Sequence, residues 1–227
     1  DGLRADLLDR YQENFVKNGF NYLRDKGVVY TNAHYLHANT ETIVGHTTLA
    51  TGATPSVHGL VGNVWYHADS GELGYNIEDA EAPLLPTRKE KIEGAQVDPA
   101  QKRARSSGRS PRGILAPTFS DTLTIATSEQ AKVFGISGKD RSAVAMAGKT
   151  GTAYWFMFDR GPVAAMHGSP WAYDTHVPIM FAGPGIKSRK VDRLVHPIDV
   201  APTLSALLNI LPPAAAEGHV LGEVTGN

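Results

Sequence analysis

Thr42 opens a segment whose residue types suit chemistry at phosphorus. The run Thr42-Ile-Val-Gly-His46-Thr-Thr-Leu-Ala-Thr51-Gly52-Ala-Thr-Pro55-Ser-Val-His58-Gly59 continues to Asn63. It sets a hydroxyl at the start of a predicted helix, then a Gly/Pro/His-rich return, then an amide. An alcohol is a poor nucleophile near neutral pH unless a metal ion, a base or a helix N-terminus supports its alkoxide. The plainer role for Thr42 is a helix cap, because threonine is a favoured N-cap residue. Asp1 opens the stretch Asp1-Gly2-Leu3-Arg4-Ala5-Asp6. A carboxylate and a hydroxyl at strand-to-helix turns are what metal-assisted phosphoryl transfer needs.

Lys139 and Arg141 stand two residues apart at the end of a predicted strand over residues 131–137. In extended chain that spacing puts both cations on one side. The arginine fork suits phosphate oxygens and the lysine supplies a point charge. The plainer alternative is an exposed pair in a turn. His167, in His167-Gly168-Ser169 ahead of a predicted buried strand, is placed to reach a cleft; otherwise it is an ordinary loop histidine. His176 is the rival ligand, closer to that strand. His34 and His37 have a metal-like spacing, but residues three apart on a strand face opposite ways, so they read as structural. Gly148-Lys149-Thr150 is not a P-loop, since Ala143 stands where the motif needs its first glycine.

The elements that must position these groups follow from periodicity. Leu3, Leu7, Leu8, Tyr11 and Phe15 recur at helical spacing until Asn18-Gly19. A short helix is predicted over 20–26, a strand over 27–35, a helix from Thr42 to Gly52, and an irregular hairpin over 66–82. Further helices are predicted over 119–127 and 199–210, the second with Pro202 in its first turn and Leu204, Leu207, Leu208 and Leu211 facing the core. Residues 142–147 form a short apolar run, and residues 154–158 and 177–182 read as buried strands. Strands alternating with helices favour a mostly parallel sheet covered on both faces. Residues 83–117 carry Pro83, Pro86, Pro99, Pro111 and Pro117 with Lys102, Arg103, Arg105, Arg109 and Arg112. They read as a solvated loop. A polyanion-binding patch is the sharper alternative, but it lacks interleaved aromatics.

The chain has 227 residues, 41% of them hydrophobic, and a formal net charge of −1. That allows one α/β domain over residues 1–227 and gives no global field for nucleic acid or an anionic membrane. No apolar run reaches the roughly 18 residues of a membrane span. Cysteine is absent, which excludes disulfides, thiolate metal sites and cysteine nucleophiles. An Asp-Gly followed by an amphipathic helix normally ends a buried strand, so an apolar strand is expected ahead of Asp1.

Together these segments resemble the alkaline phosphatase superfamily, and within it the phosphate-irrepressible branch with a threonine nucleophile, related to nucleotide pyrophosphatase/phosphodiesterases. The carrying pattern is Thr-x-x-x-His-x-x-Leu-x-Thr-Gly-x-x-Pro-x-x-His-Gly-x-x-x-Asn, joined by Gly138-Lys139-Asp140-Arg141-Ser142-Ala143 and His-Gly-Ser-Pro-Trp-x-Tyr-Asp-Thr-His-Val-Pro from His167. The match covers residues 1–66, about 118–156 and 157–222. The resemblance implies Thr42 as nucleophile, Asn63, Lys139 and Arg141 as phosphoryl-binding groups, and Asp1, Thr42 and His167 as metal ligands. It implies two zinc ions, a phosphothreonine intermediate, small-molecule phosphate esters as substrates and a periplasmic or secreted location. The Lys-Asp-Arg motif points to monoesters rather than diesters.

One departure stands out. Members of that branch carry an Asp-x-x-x-His element and an Asp-His pair between the Lys-Asp-Arg motif and the late histidine. Here Tyr154-Trp155-Phe156 runs straight into Met157-Phe158-Asp159-Arg160-Gly161. The expected fold is therefore alkaline-phosphatase-like but incomplete, with a metal-binding segment missing near 150–160. A phosphate-binding remnant without catalysis is the alternative function, and a phosphodiesterase the second.

Overall fold

The computed structural model describes residues 3–85, 99–155 and 167–226. In chain order the helices and strands are α1 (Ala5–Arg10), α2 (Phe20–Lys26), β1 (Val28–Tyr30), α3 (Thr42–Thr51), α4 (Pro55–His58), β2 (Val64–His67) and β3 (Glu72–Tyr75). Then come α5 (Phe119–Ala126), β4 (Phe134–Ser137), α6 (Asp140–Ala147), β5 (Thr152–Trp155) and α7 (Ala172–Thr175). The C-terminal part supplies β6 (Ile179–Phe181), β7 (Arg189–Val191), α8 (Val200–Leu207) and α9 (Gly222–Thr225). The class is α/β, as the sequence predicts.

The described strands fall into three small sheets rather than one. β1 lies between β6, antiparallel to it, and β7, parallel to it. β2 and β3 form an antiparallel hairpin, while β4 and β5 pair in parallel. Two cores result. Val28, Tyr30, Ile179, Phe181, Val195 and Leu221 pack around the β1 sheet. Ile43, Val44, Leu60, Tyr75, Ile114 and Val144 pack where α3, α6 and the hairpin meet. This second core is the floor on which the chemistry-bearing residues stand.

α3 is a helix that propensity alone would not form. Its sequence TIVGHTTLAT is rich in β-branched residues, which lose rotamer freedom in a helix. Eight of its ten residues are buried, so packing on several sides supplies its stability. Thr51 Oγ1 donates to the Thr47 carbonyl at 2.7 Å, using up one of its buried hydroxyls. Gly52 ends the helix at φ 68°, a left-handed cap that favours glycine. Pro55 then starts α4 at its first turn, where its missing N–H costs nothing.

Several expectations need correction. Regular helix in the first segment stops at Arg10; a 3-10 turn, Gln12–Asn14, follows, and of the apolar stripe only Leu8 is buried. The strand over 27–35 is regular only at Val28–Tyr30, continuing as bridges at Ala33 and His34. The short apolar run over residues 142–147 is most of α6. Leu207 at the end of α8 and Leu208 and Leu211 beyond it are exposed, Leu211 by 80%. The helix ends at Leu207 and Asn209 turns left-handed at φ 53°, so the later leucines leave the helical face. The core side of α8 is Ala201, Pro202, Thr203 and Ser205, with Leu204 packed against the β1 core as predicted; the Thr203 and Ser205 hydroxyls bond back to the Asp199 and Ala201 carbonyls at 2.6 and 2.9 Å. Tyr154 in β5 is 50% exposed, because the pleat turns it away from α6. Residues 156–158 of that predicted strand, residues 156–160 of the suspected break near 150–160, and Asp1 lie outside the described residues.

The basic segment is also not simply solvated. Ile114 and Ala116 are buried, and Arg109 is drawn inside with a side chain only 11% exposed. The Gly148-Lys149-Thr150 turn holds an anion, but one of the chain's own. Asp121 closes a capping box with Thr118 at the start of α5, and its Oδ1 accepts from the Lys149 and Thr150 N–H groups at 2.7 and 3.0 Å.

Candidate active site

Thr42 is the first residue of α3, and Glu41 occupies the N-cap position without a side-chain capping bond. The threonine hydroxyl therefore has no capping role. Among the described residues it meets His167 and Lys139. His167 Nε2 lies 3.3 Å from Thr42 Oγ1, and Lys139 Nζ donates to the same oxygen at 3.2 Å. Three segments far apart in sequence thus meet at one buried hydroxyl.

Asn63 serves α3 from outside. Its Oδ1 accepts from the Ile43 N–H at 3.2 Å, satisfying one of the orphan donors of the helix start. With Oδ1 so engaged, Nδ2 is the donor that Asn63 can offer to another acceptor. The Asn63 N–H in turn donates to Glu41 Oε2. Asn39 Nδ2 donates to the Val61 carbonyl at 2.8 Å, a second tie between the turn before α3 and the return after it.

A buried chain of hydrogen bonds completes that frame. His58 Nδ1 accepts from the Leu60 N–H at 3.2 Å, so its proton sits on Nε2, 3.1 Å from Thr48 Oγ1. His37 Nδ1 lies 2.8 Å from the Asn39 carbonyl and must carry a proton, leaving Nε2 to accept from Thr48 at 3.2 Å. Every link has a donor and an acceptor only while both rings are neutral. Burial pushes both histidines below their ordinary pKa, His58 to about 4. His37 is structural, as its spacing predicts.

His167 is held with equal definition. Its Nδ1 lies 2.9 Å from the Thr40 carbonyl, a contact that requires an N–H, so Nε2 faces Thr42 with its lone pair. Thr40 Oγ1 accepts from the Gly168 N–H at 3.1 Å, and Asp174 accepts from the Ser169 N–H and hydroxyl at 2.9 and 2.7 Å. Burial above all, and then the Lys139 cation, lower the His167 pKa, which keeps the ring a neutral acceptor. His46, one turn on from Thr42, is pushed down to about 4, chiefly by burial, with Lys139 and Arg141 adding to the effect. Both cations are therefore near α3.

They do not arrive there as an extended pair. Lys139 is the N-cap of α6 and Arg141 lies in that helix's first turn, 2% exposed. The packing of α6 against α3 brings them in, not strand alternation. His176 stays apart as a structural group: its Nε2 bonds the Thr31 carbonyl at 2.9 Å and its ring stacks on His34 at 4.5 Å.

The donor set bears on a metal. Thr42 Oγ1 and His167 Nε2 face each other with the histidine tautomer fixed as metal ligation prefers. A catalytic zinc ion takes about three protein ligands. No cluster of three or more His, Cys, Asp or Glu side chains is found among the described residues. The third expected ligand, Asp1, lies outside them.

Sequence reasoning missed Glu41, Thr40, Tyr75 and Arg109, which hold the named groups in place. Glu41 and Thr40 adjoin Thr42, so their position was a usable signal. Tyr75 and Arg109 carry none, because their partner Asp140 is 65 and 31 residues away.

Residues 1–174 match the family model described as type I phosphodiesterase / nucleotide pyrophosphatase. The chain belongs to that family, within the alkaline phosphatase superfamily. It is 34% identical over 158 residues to the alkaline phosphatase PafA of Elizabethkingia meningoseptica, covering 69% of this chain and 26% of that protein. It is 30% identical over 157 residues to the alkaline phosphatase PhoV of Synechococcus elongatus, covering 69% and 26%. The crystal structure of wild-type PafA superposes with a TM-score of 0.57 at 33% identity, over 69% of this chain and 28% of that one. The chain spans about a quarter of the length of the curated relatives it matches.

Proposed function

We propose that this chain carries the phosphoryl-binding and nucleophile-bearing part of a phosphate monoester hydrolase, with Thr42 as nucleophile. One observation carries the reading: Thr42 Oγ1 stands between a neutral imidazole acceptor at 3.3 Å and a lysine cation at 3.2 Å. In the proposed reaction Thr42 Oγ bonds to phosphorus while the ester P–O bond breaks and its electron pair leaves with the alcohol. The hydroxyl proton leaves to solvent as the alkoxide forms, because the one free lone pair of His167, on Nε2, cannot both hold a metal and take that proton. Lys139, Arg141 and the Asn63 Nδ2 group would bind the equatorial oxygens, where charge is spread in the transition state. Water then attacks the phosphothreonine and the P–Oγ bond breaks. Asp1, Thr42 and His167 would hold a zinc ion, whose charge when bound favours the Thr42 alkoxide.

Two cations at the pocket favour a dianionic monoester over a monoanionic diester. The two relatives named above are called alkaline phosphatases, which supports that preference. Small-molecule phosphate esters are the proposed substrates, a periplasmic or secreted location is the proposed compartment, and no nucleic-acid partner is proposed. No described helix is long and apolar enough to cross a membrane.

A second reading is a phosphate-binding remnant without catalysis, for which Asn63, Lys139 and Arg141 would serve without a metal. Metal analysis with hydrolysis assays separates the two. Bound zinc, with p-nitrophenyl phosphate cleaved at least about tenfold faster than its methyl diester, supports the hydrolase. Phosphate binding with no zinc and no turnover supports the remnant.

A further inference from the structure

The basic segment after the hairpin sends one residue against the start of α6. Arg109 Nε donates to Asp140 Oδ2 at 2.8 Å, with side chains 11% and 1% exposed. Its guanidinium lies 5.0 Å from the centroid of the Tyr75 ring, and Nη1 donates to the Ser106 and Gly108 carbonyls, each at 2.8 Å. Gly108 runs so close to the Asp79 backbone that any Cβ there would collide with its carbonyl. The loop is thus pinned where Arg109 departs from it. On the far side, Tyr75 OH donates to Asp140 Oδ1 at 2.6 Å and accepts from Arg141 Nη1 at 3.3 Å. The Arg141 backbone N–H donates to that same carboxylate oxygen at 2.8 Å.

A buried carboxylate beside Arg141 competes with any bound anion for its guanidinium. Charge-assisted Arg–carboxylate bonds are strong, and a lone buried carboxylate would draw the nearest arginine onto itself. Arg109 neutralises Asp140 from the opposite side, and the Tyr75 hydroxyl stands between Asp140 and Arg141. We propose that Arg109 is a positioning residue: by fixing Asp140 and Tyr75 it sets the Arg141 guanidinium for phosphoryl binding. This rests on Arg141 binding the phosphoryl group, as proposed above, and extends it to a residue outside every motif.

Arg109→Met, Arg109→Lys, Tyr75→Phe and the Arg109→Met/Tyr75→Phe double variant test it. Each is compared with the parent chain by calorimetric titration of inorganic phosphate and by hydrolysis of p-nitrophenyl phosphate and its methyl diester. Arg109→Met and Tyr75→Phe are expected to weaken phosphate binding about tenfold and to lower the monoester-to-diester ratio similarly. Arg109→Lys is expected to fall between these and the parent. The double variant should be little worse than the weaker-binding single variant, because both act through Asp140. Phosphate affinity and ester ratio within about twofold of the parent in Tyr75→Phe, or in a folded Arg109→Met, overturn the proposal. If Arg109→Met does not fold, Tyr75→Phe, which loses only a hydroxyl, decides alone. A parent chain that binds phosphate but cleaves neither ester contradicts the proposed activity and leaves the titration to judge Arg109; a parent that binds no phosphate overturns both.

Discussion

Two helix starts meet at the proposed pocket, and opposite kinds of chemistry hold them. The start of α3 is fixed mainly by uncharged groups: the Asn63 amide on Ile43, and the relay from Leu60 through His58, Thr48 and His37 to Asn39. The start of α6 is fixed by buried charge, with Arg109, Asp140 and Arg141 joined through Tyr75. The first frame depends on protonation state, because each imidazole must give one hydrogen and accept another. The second depends on partnership, because a buried ion without its counter-ion is costly. The two frames should therefore fail under different insults.

The sharpest way to break the comparison is at the point both frames serve. Thr42→Ala in the full-length protein should cut turnover of a monoester by about a thousandfold or more, since the proposed bond-forming atom is gone. Undiminished hydrolysis would show that the two helix starts frame something other than a nucleophile. Next in size is the ionic frame. Arg109→Met should cost about 3–5 kcal/mol in denaturant unfolding, the range for removing one partner of a buried pair. A cost near that of an exposed pair, under about 1 kcal/mol, would mean that Asp140 finds another partner.

The neutral frame should yield less. Thr48→Val keeps the shape of the side chain but leaves the His58 Nε2–H without its acceptor. The expected cost is about 1–3 kcal/mol, read by the same unfolding measurement. Acid offers the gentlest probe. His58 takes a proton near 6.5 when unfolded but only near 4 when folded. Between those values the unfolded state binds more protons, so stability falls as pH falls. The melting temperature should hold above pH 6.5 and decline from there toward pH 4. The slope should shrink in His58→Gln, which cannot take the proton; an unchanged slope would remove His58 from the account.

The sequence showed one frame far better than the other, for a physical reason. Thr42, His58 and Asn63 lie in one continuous helix-and-return, so local spacing alone relates them. The boundaries of α2 and α3 were legible for the same reason, since Asn18-Gly19 and Gly52 are local signals, whereas the Thr118/Asp121 box that starts α5 is a local signal the sequence reading passed over. Lys139 and Arg141 were singled out on a strand argument, whereas the packing of α6 on α3 is what brings them close. Arg109 looked like one solvated cation among five, since nothing near it in sequence announces Asp140. The leucines after α8 were misjudged because periodicity cannot see where Asn209 turns the chain out of the helix. The ligand role expected for Asp1 rests on resemblance alone, as that residue lies outside the described structure.

The central claim is that the Thr42 hydroxyl becomes bonded to phosphorus. Brief incubation of the full-length protein with a phosphate monoester, an acid quench and peptide mass spectrometry would test it directly. The account predicts a phosphoryl group on Thr42 that disappears when the quench is delayed past substrate exhaustion. Steady hydrolysis with Thr42 always unmodified, or with the phosphoryl group on another side chain, would contradict it.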